Sequence, residues 1–111
     1  MRRIAQLIRL KPEAEAEYVR MHAEVWPGVL ATIAACNIRN YSIFLRDHVL
    51  YAYFEYHGDD LKEDMRKMAA CAETQRWWSV MDPMQTAMED AEPGERWTGM
   101  REVFHFDGQH E

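Results

Sequence analysis

The segment Val49–Tyr56, "VLYAYFEY", restricts the fold more than any other part of the chain. Side chains alternate across a strand, so Leu50, Ala52, Phe54 and Tyr56 share one face, and Val49, Tyr51 and Tyr53 the other. A strand that is apolar on both faces must be covered on both. The preceding run, residues 38–46 "IRNYSIFLR", is equally rich in β-branched and aromatic residues, and only Asp47-His48 separates the two, which predicts a hairpin. Helices of the same chain can cover one face of such a sheet. The other face then needs a partner, unless a one-residue change of register moves the apolar set across the sheet.

The flanking segments supply the rest of the architecture. Residues 3–10, "RIAQLIRL", read as a strand with Ile4, Ile8 and Leu10 on one face, interrupted by Gln6, and with Arg3, Ala5, Leu7 and Arg9 on the other. Pro12, followed by Glu13, Glu15 and Glu17, marks a helix start, because proline suits the first turn and carboxylates favour the positive end of the helix dipole. Over residues 12–35, Ala14, Tyr18, Met21, His22, Val25 and Val29 fall within an arc of roughly 100°. Pro27 lacks a backbone donor, so a kink is expected near Trp26, with Pro27 opening a second helical piece. After His57-Gly58 a second helical stretch runs over 59–84, with Pro83 closing it or starting another turn. "EDAEPGERWTG" reads as a polar loop, "REVFHF" at 101–106 as the last strand, and residues 107–111 as a frayed tail. The order β-α-β-β-α-β is that of the ferredoxin-like α+β fold, a four-stranded antiparallel sheet with helices on one face. The apolar second face predicts a homodimer.

A chain of 111 residues fits one domain, 1–111. Its 48% hydrophobic and 29% charged residues suit a globular protein rather than a disordered one. The net charge of −6 disfavours nucleic-acid binding, which needs clustered Lys and Arg. No apolar run approaches the ~20 residues needed to cross a bilayer, so no membrane partner is expected, and the first residues lack the pattern of a signal peptide. Cys36 and Cys71 form no C-x-x-C pair, which suggests reduced thiols and a cytoplasmic protein without a zinc site. The eight methionines read as core filler, some at a pocket.

Candidate chemistry concentrates on one predicted face. Tyr18 and His22 are four residues apart, which makes them neighbours on a helix, and an imidazole that titrates near neutrality is a candidate acid–base group. A core histidine satisfied by a backbone carbonyl explains His22 as well. Tyr41, in phase with Ile43 and Leu45, would point toward the same stripe, or simply pack in the core. Trp77 and Trp78 are adjacent and diverge by roughly 100° on a helix. One indole can therefore enter a pocket while the other borders its rim, and indoles stack on the C–H faces of sugars. His48, His57 and His110 read as solvated, and His105 as facing a pocket or a dimer contact. No Gly-rich phosphate loop, paired metal ligands or nucleophile elbow occurs, and no cofactor is expected.

Taken in order, "Y-x-x-x-H" at 18–22, "W-P" at 26–27, "N-Y-S-I" at 40–43, "Q-R-W-W" at 75–78 and "E-V-F" at 102–104 resemble the L-rhamnose mutarotase family over nearly the whole chain. The resemblance implies a dimeric α+β barrel that interconverts the α and β anomers of a 6-deoxyhexose. It implies that His22 is the proton donor and that Tyr18, Tyr41, Trp77 and Trp78 bind the sugar. Residues 58–72 and 88–99 carry no motif of the family, which leaves L-fucose or another 6-deoxy sugar open beside L-rhamnose. A dimeric α+β barrel oxygenase of an aromatic metabolite and a noncatalytic sugar-binding module are the alternatives, since fold does not set function.

Overall fold

Strand β1 (Arg2–Leu10) occupies the middle of the sheet in the computed structural model, which describes residues 1–109. It runs antiparallel to β3 (Val49–Tyr56), which in turn pairs with β2 (Ile38–Arg46). The hairpin forms over the residues expected. Asp47 and His48 both take positive φ, 51° and 61°, the backbone of the two-residue turn whose twist matches that of the flanking strands.

Strand β2 carries one irregularity. The register shifts between Arg39 and Ser42, and Asn40 takes a left-handed φ of 52°. This bulge allows Ile38 to line the same cavity as Tyr41 and Ile43, although strict alternation would put Ile38 on the opposite face.

The long helical segment at 12–35 breaks where proline demands it. A short 3₁₀ turn at Pro12–Ala14 leads into α1 (Glu15–His22), and Pro27 opens α2 (Pro27–Ala35) after an extended Trp26. The second helical stretch breaks as well. Helix α3 (Leu61–Ala70), capped by the Asp60 carboxylate accepting from the Glu63 amide at 3.1 Å, ends at an extended Cys71, and α4 (Ala72–Met81) follows. In one continuous helix Met68 and Trp77 would face opposite ways, nine residues at roughly 100° each. The break resets the phase, so that both residues line one cavity. It is tied to α2 by a 3.2 Å contact between the Thr32 hydroxyl and the Cys71 thiol.

The end of the chain departs from the sequence reading. Residues 101–106 do not form the last strand. The fourth position of the sheet is shared by two short strands on the free edge of β1: β4 (Gln85–Thr86), which follows a 3₁₀ turn at Asp82–Met84, and β5 (Thr98–Met100). The sheet order β2-β3-β1-β4 is that of the ferredoxin-like fold. Beyond Met100 the chain leaves the sheet, and Val103 and Phe104 are 81% and 80% exposed. These residues have strand composition, but nothing among the described residues covers them; Glu102 is held to Arg3 by its side chain, at 2.7 Å. Residues 107–109 are exposed and outside regular structure, while the expectation for His110 falls, with Glu111, outside the described residues.

The helices pack on one face of the sheet. Ile8, Leu10, Tyr18, Val29, Leu50, Trp77 and Met81 form a buried cluster there, and Ala52, Phe54 and Tyr56 of the same β3 face are also buried. At roughly 1.5–3 kcal/mol for each large side chain removed from water, this cluster is the main source of stability. On the opposite face, cross-strand partners bring Leu7, Tyr51 and Phe44 into one row and Met100, Ala5 and Tyr53 into the next. Among the described residues no helix covers that face, where Phe44 is 65% exposed.

Candidate active site

Between the helices and the inner face of the sheet lies a cavity of about 370 Å³, within the roughly 300–1,000 Å³ of small-molecule sites. All five residues singled out from the sequence line it: Tyr18, His22, Tyr41, Trp77 and Trp78. Helix α1 ends at His22, β2 presents Tyr41 from within its bulge, and α4 presents the indoles.

His22 is positioned by its own helix. Its Nδ1 lies 2.8 Å from the backbone carbonyl of Tyr18. A carbonyl only accepts, so Nδ1 carries the proton and the neutral ring keeps its lone pair on Nε2. The backbone-satisfied histidine of the bland reading is therefore present, yet the ring still lines the cavity. Burial lowers the imidazole pKa from its usual range, and the carbonyl contact opposes that shift only in part. Tyr18 stacks on the imidazole with centroids 4.2 Å apart and planes 24° apart. Trp77 meets it edge-on at 5.2 Å and is itself buttressed by Trp26 at 5.0 Å.

The tryptophan pair divides as its helical geometry requires. Trp77 is 6% exposed and belongs to the core, whereas Trp78 is 38% exposed at the rim of the cavity. Burial pushes the Tyr18 phenol up to about 12, with the Gln85 amide acting in the other direction. Tyr41 is 40% exposed as a residue, but its hydroxyl end is desolvated and its pKa is raised in consequence.

Sequence reasoning missed the polar wall. Gln6, Asp82, Gln85, Arg96 and Trp97 also line the cavity. The one available signal was Gln6, which interrupts the inward apolar face of β1. Gln85 is buried on a two-residue strand, and Arg96-Trp97 belong to the segment read as a polar loop. Arg96 donates at 3.2 Å to the Gln85 side-chain oxygen and at 3.2 Å to the Asp82 carbonyl, with its Nε 3.5 Å from the Asp82 carboxylate. The apolar wall consists of Val29, Ile33, Met65, Met68 and Met81 beside the indoles, so some of the methionines do meet the pocket. The other described histidines stand apart: His48 lies 3.2 Å from Glu15, His57 lies 3.3 Å from Glu55, and His105 lines a groove with Arg3, Tyr53 and Phe104.

Fold and site together define a ferredoxin-like α+β protein whose helix-borne histidine lies in a largely apolar cavity with one polar wall, of monosaccharide scale. Residues 3–106 match the family model described as L-rhamnose mutarotase. Proteins named L-rhamnose mutarotase from Oceanobacillus iheyensis and Bacillus subtilis are 33% and 32% identical, each over 96% of this chain and 100% of their own length. The crystal structure of an L-rhamnose mutarotase from Formosa agariphila shares the fold, with a TM-score of 0.76 at 21% identity over 96% of this chain and 100% of that one. The chain belongs to the L-rhamnose mutarotase family.

Proposed function

We propose that this protein is an isomerase that interconverts the α and β anomers of a 6-deoxyhexose, L-rhamnose foremost, with His22 as its acid–base group. The observation that carries the reading is the convergence of Tyr18, His22, Tyr41, Trp77 and Trp78, drawn from three separate elements, on one cavity of about 370 Å³. Mutarotation opens the pyranose ring, turns C1 about C1–C2 and closes the ring from the other side. Opening needs one proton taken from the anomeric hydroxyl and one delivered to the ring oxygen, work for which side chains of this type contribute about 10²–10⁴-fold. The rim indole and the methionine wall suit the C–H faces and the methyl group of a deoxy sugar, while the polar wall suits its hydroxyls.

The active form we propose is a homodimer in which two copies bury the helix-free sheet face. Support comes from the apolar row of Leu7, Phe44 and Tyr51 and from the exposed Val103 and Phe104 beyond the last strand. Free thiols at Cys36 and Cys71 accord with a reducing cytoplasm. Among the described residues no helix is long and apolar enough to cross a membrane.

Saturation-transfer NMR across L-rhamnose, L-fucose and related sugars tests the reading. Exchange between the two anomers accelerated by catalytic amounts of protein, greatest for L-rhamnose, is the expected result. Sugar binding without accelerated exchange would instead make the protein a binding module.

A further inference from the structure

The polar wall sets two charged side chains against each other at the mouth of the cavity. Asp82 follows Trp78 by four residues and keeps helical backbone angles, φ −55° and ψ −43°, so its carboxylate and the rim indole share one face at the end of α4. On local grounds the position is a poor one for a carboxylate. It lies at the C-terminal end of the helix, where the dipole is negative, and no basic residue stands in the last turn. A side chain kept against a local preference points to a role beyond the helix.

Arg96 reaches the same place from the loop before β5. Its Nη2 donates at 3.2 Å to the Asp82 carbonyl and at 3.2 Å to Gln85 Oε1, and its Nε lies 3.5 Å from the Asp82 carboxylate. These contacts occupy the Nε–Nη2 side of the guanidinium and fix its plane, while Nη1 takes part in none of them. The carboxylate is not fully engaged either, since 3.5 Å is longer than the roughly 2.7–3.2 Å of a formed N–H···O bond. Both residues line the cavity, and the Arg96 and Asp82 side chains are 45% and 47% exposed. The wall thus sets a donor and an acceptor side by side within reach of a ligand. Two hydroxyls on neighbouring carbons match that pair. One donates to the carboxylate while the other accepts from the guanidinium, and both bonds are charge-assisted.

We propose that Asp82 and Arg96 form a clamp for a vicinal diol of the sugar and that they determine which 6-deoxyhexoses bind. The inference rests on the mutarotase reading. Under that reading the anomeric centre reacts at the His22 imidazole, which stacks on Tyr18 and meets Trp77, and the clamp takes hydroxyls that keep their protons throughout. With the anomeric hydroxyl set aside, the pair is O2 and O3 or O3 and O4, and O3 belongs to it either way. Such bonds are equally strong in the closed ring and in the transition state for its opening, so they lower KM and leave kcat unchanged. Trp78, beside Asp82 on the helix, supplies an apolar contact for the adjoining C–H face.

The test pairs two variants with deoxygenated substrates. Arg96→Met keeps the length of the side chain and removes its donors, and Asp82→Ala removes the acceptor. Each is expected to raise KM for L-rhamnose by about tenfold, the low end for hydrogen bonds to charged groups because water reaches both residues, with kcat within about threefold of wild type. Melting temperatures within a few degrees of wild type separate this from a role in folding. Where a variant fails to fold, the wild-type protein carries the test alone: the 3-deoxy analogue of L-rhamnose should show a KM about tenfold above that of L-rhamnose. In Arg96→Met that analogue should lose less than L-rhamnose does. A KM for L-rhamnose within about twofold of wild type in either folded variant, a fall in kcat in place of a rise in KM, or a 3-deoxy analogue taken as well as L-rhamnose would overturn the clamp and leave the mutarotase reading intact. A wild-type protein that accelerates exchange of no deoxy sugar would remove the mutarotase reading, and this inference with it.

Discussion

The imidazole of His22 is anchored to the residue on which it stacks: Nδ1 bonds the Tyr18 carbonyl at 2.8 Å while the two rings lie 4.2 Å apart. Helical spacing makes both contacts at once, because the carbonyl of residue i and the side chains of i and i+4 lie along the same face. The Tyr18 backbone carbonyl thus fixes the tautomer without help from any other side chain. His22→Ala is therefore expected to lower kcat by about 10²–10⁴-fold, with a circular-dichroism spectrum like that of wild type. Unchanged anomer exchange in saturation-transfer NMR would remove His22 from the chemistry.

Burial depresses the His22 pKa, and the neutral ring is the form with a free Nε2. Activity is lost as pH falls through that pKa, so the acid limb of kcat/KM should have its midpoint below the usual ~6.5, with full activity at pH 7. A midpoint above 6.5 that disappears in His22→Ala would contradict this environment for the ring.

The adjacent tryptophans should separate stability from binding. Trp77 is in the core, and Trp77→Ala is expected to cost about 3–5 kcal/mol of folding stability. Trp78 stands at the rim, so Trp78→Ala should leave the melting temperature within a few degrees of wild type and raise KM severalfold. Thermal melts paired with exchange kinetics check both, and equal effects on Tm from the two variants would refute the division.

Phe44 stands in the apolar row of the helix-free face and is 65% exposed in the single chain. Phe44→Glu places a charge where two copies are proposed to meet, at a cost too large for a stable contact. A shift from dimer to monomer in sedimentation velocity is expected at micromolar concentration. Identical sedimentation of variant and wild type would mean that the face is not the contact.

Local chemistry determined much of this protein. The Asp47-His48 hairpin, the break at Pro27 and the inward faces of β1 and β3 all follow from alternation, turn length and the missing proline donor, which act over a few residues. The i, i+4 pair of Tyr18 and His22 was legible for the same reason. Three features needed the tertiary structure. The bend at Cys71 lies in a run with no glycine or proline, and it lets both α3 and α4 turn a face toward the same cavity. Residues 101–106 alternate like a strand but pair with no strand among the described residues, since β4 and β5 share the free edge of β1. The polar wall joins Gln6 on β1, Gln85 on a two-residue strand and Arg96 from a loop, positions far apart in the chain with no shared periodicity. Periodicity reports which face of an element is buried; only the packing of the elements decides which buried faces meet, and so which polar groups converge on one cavity.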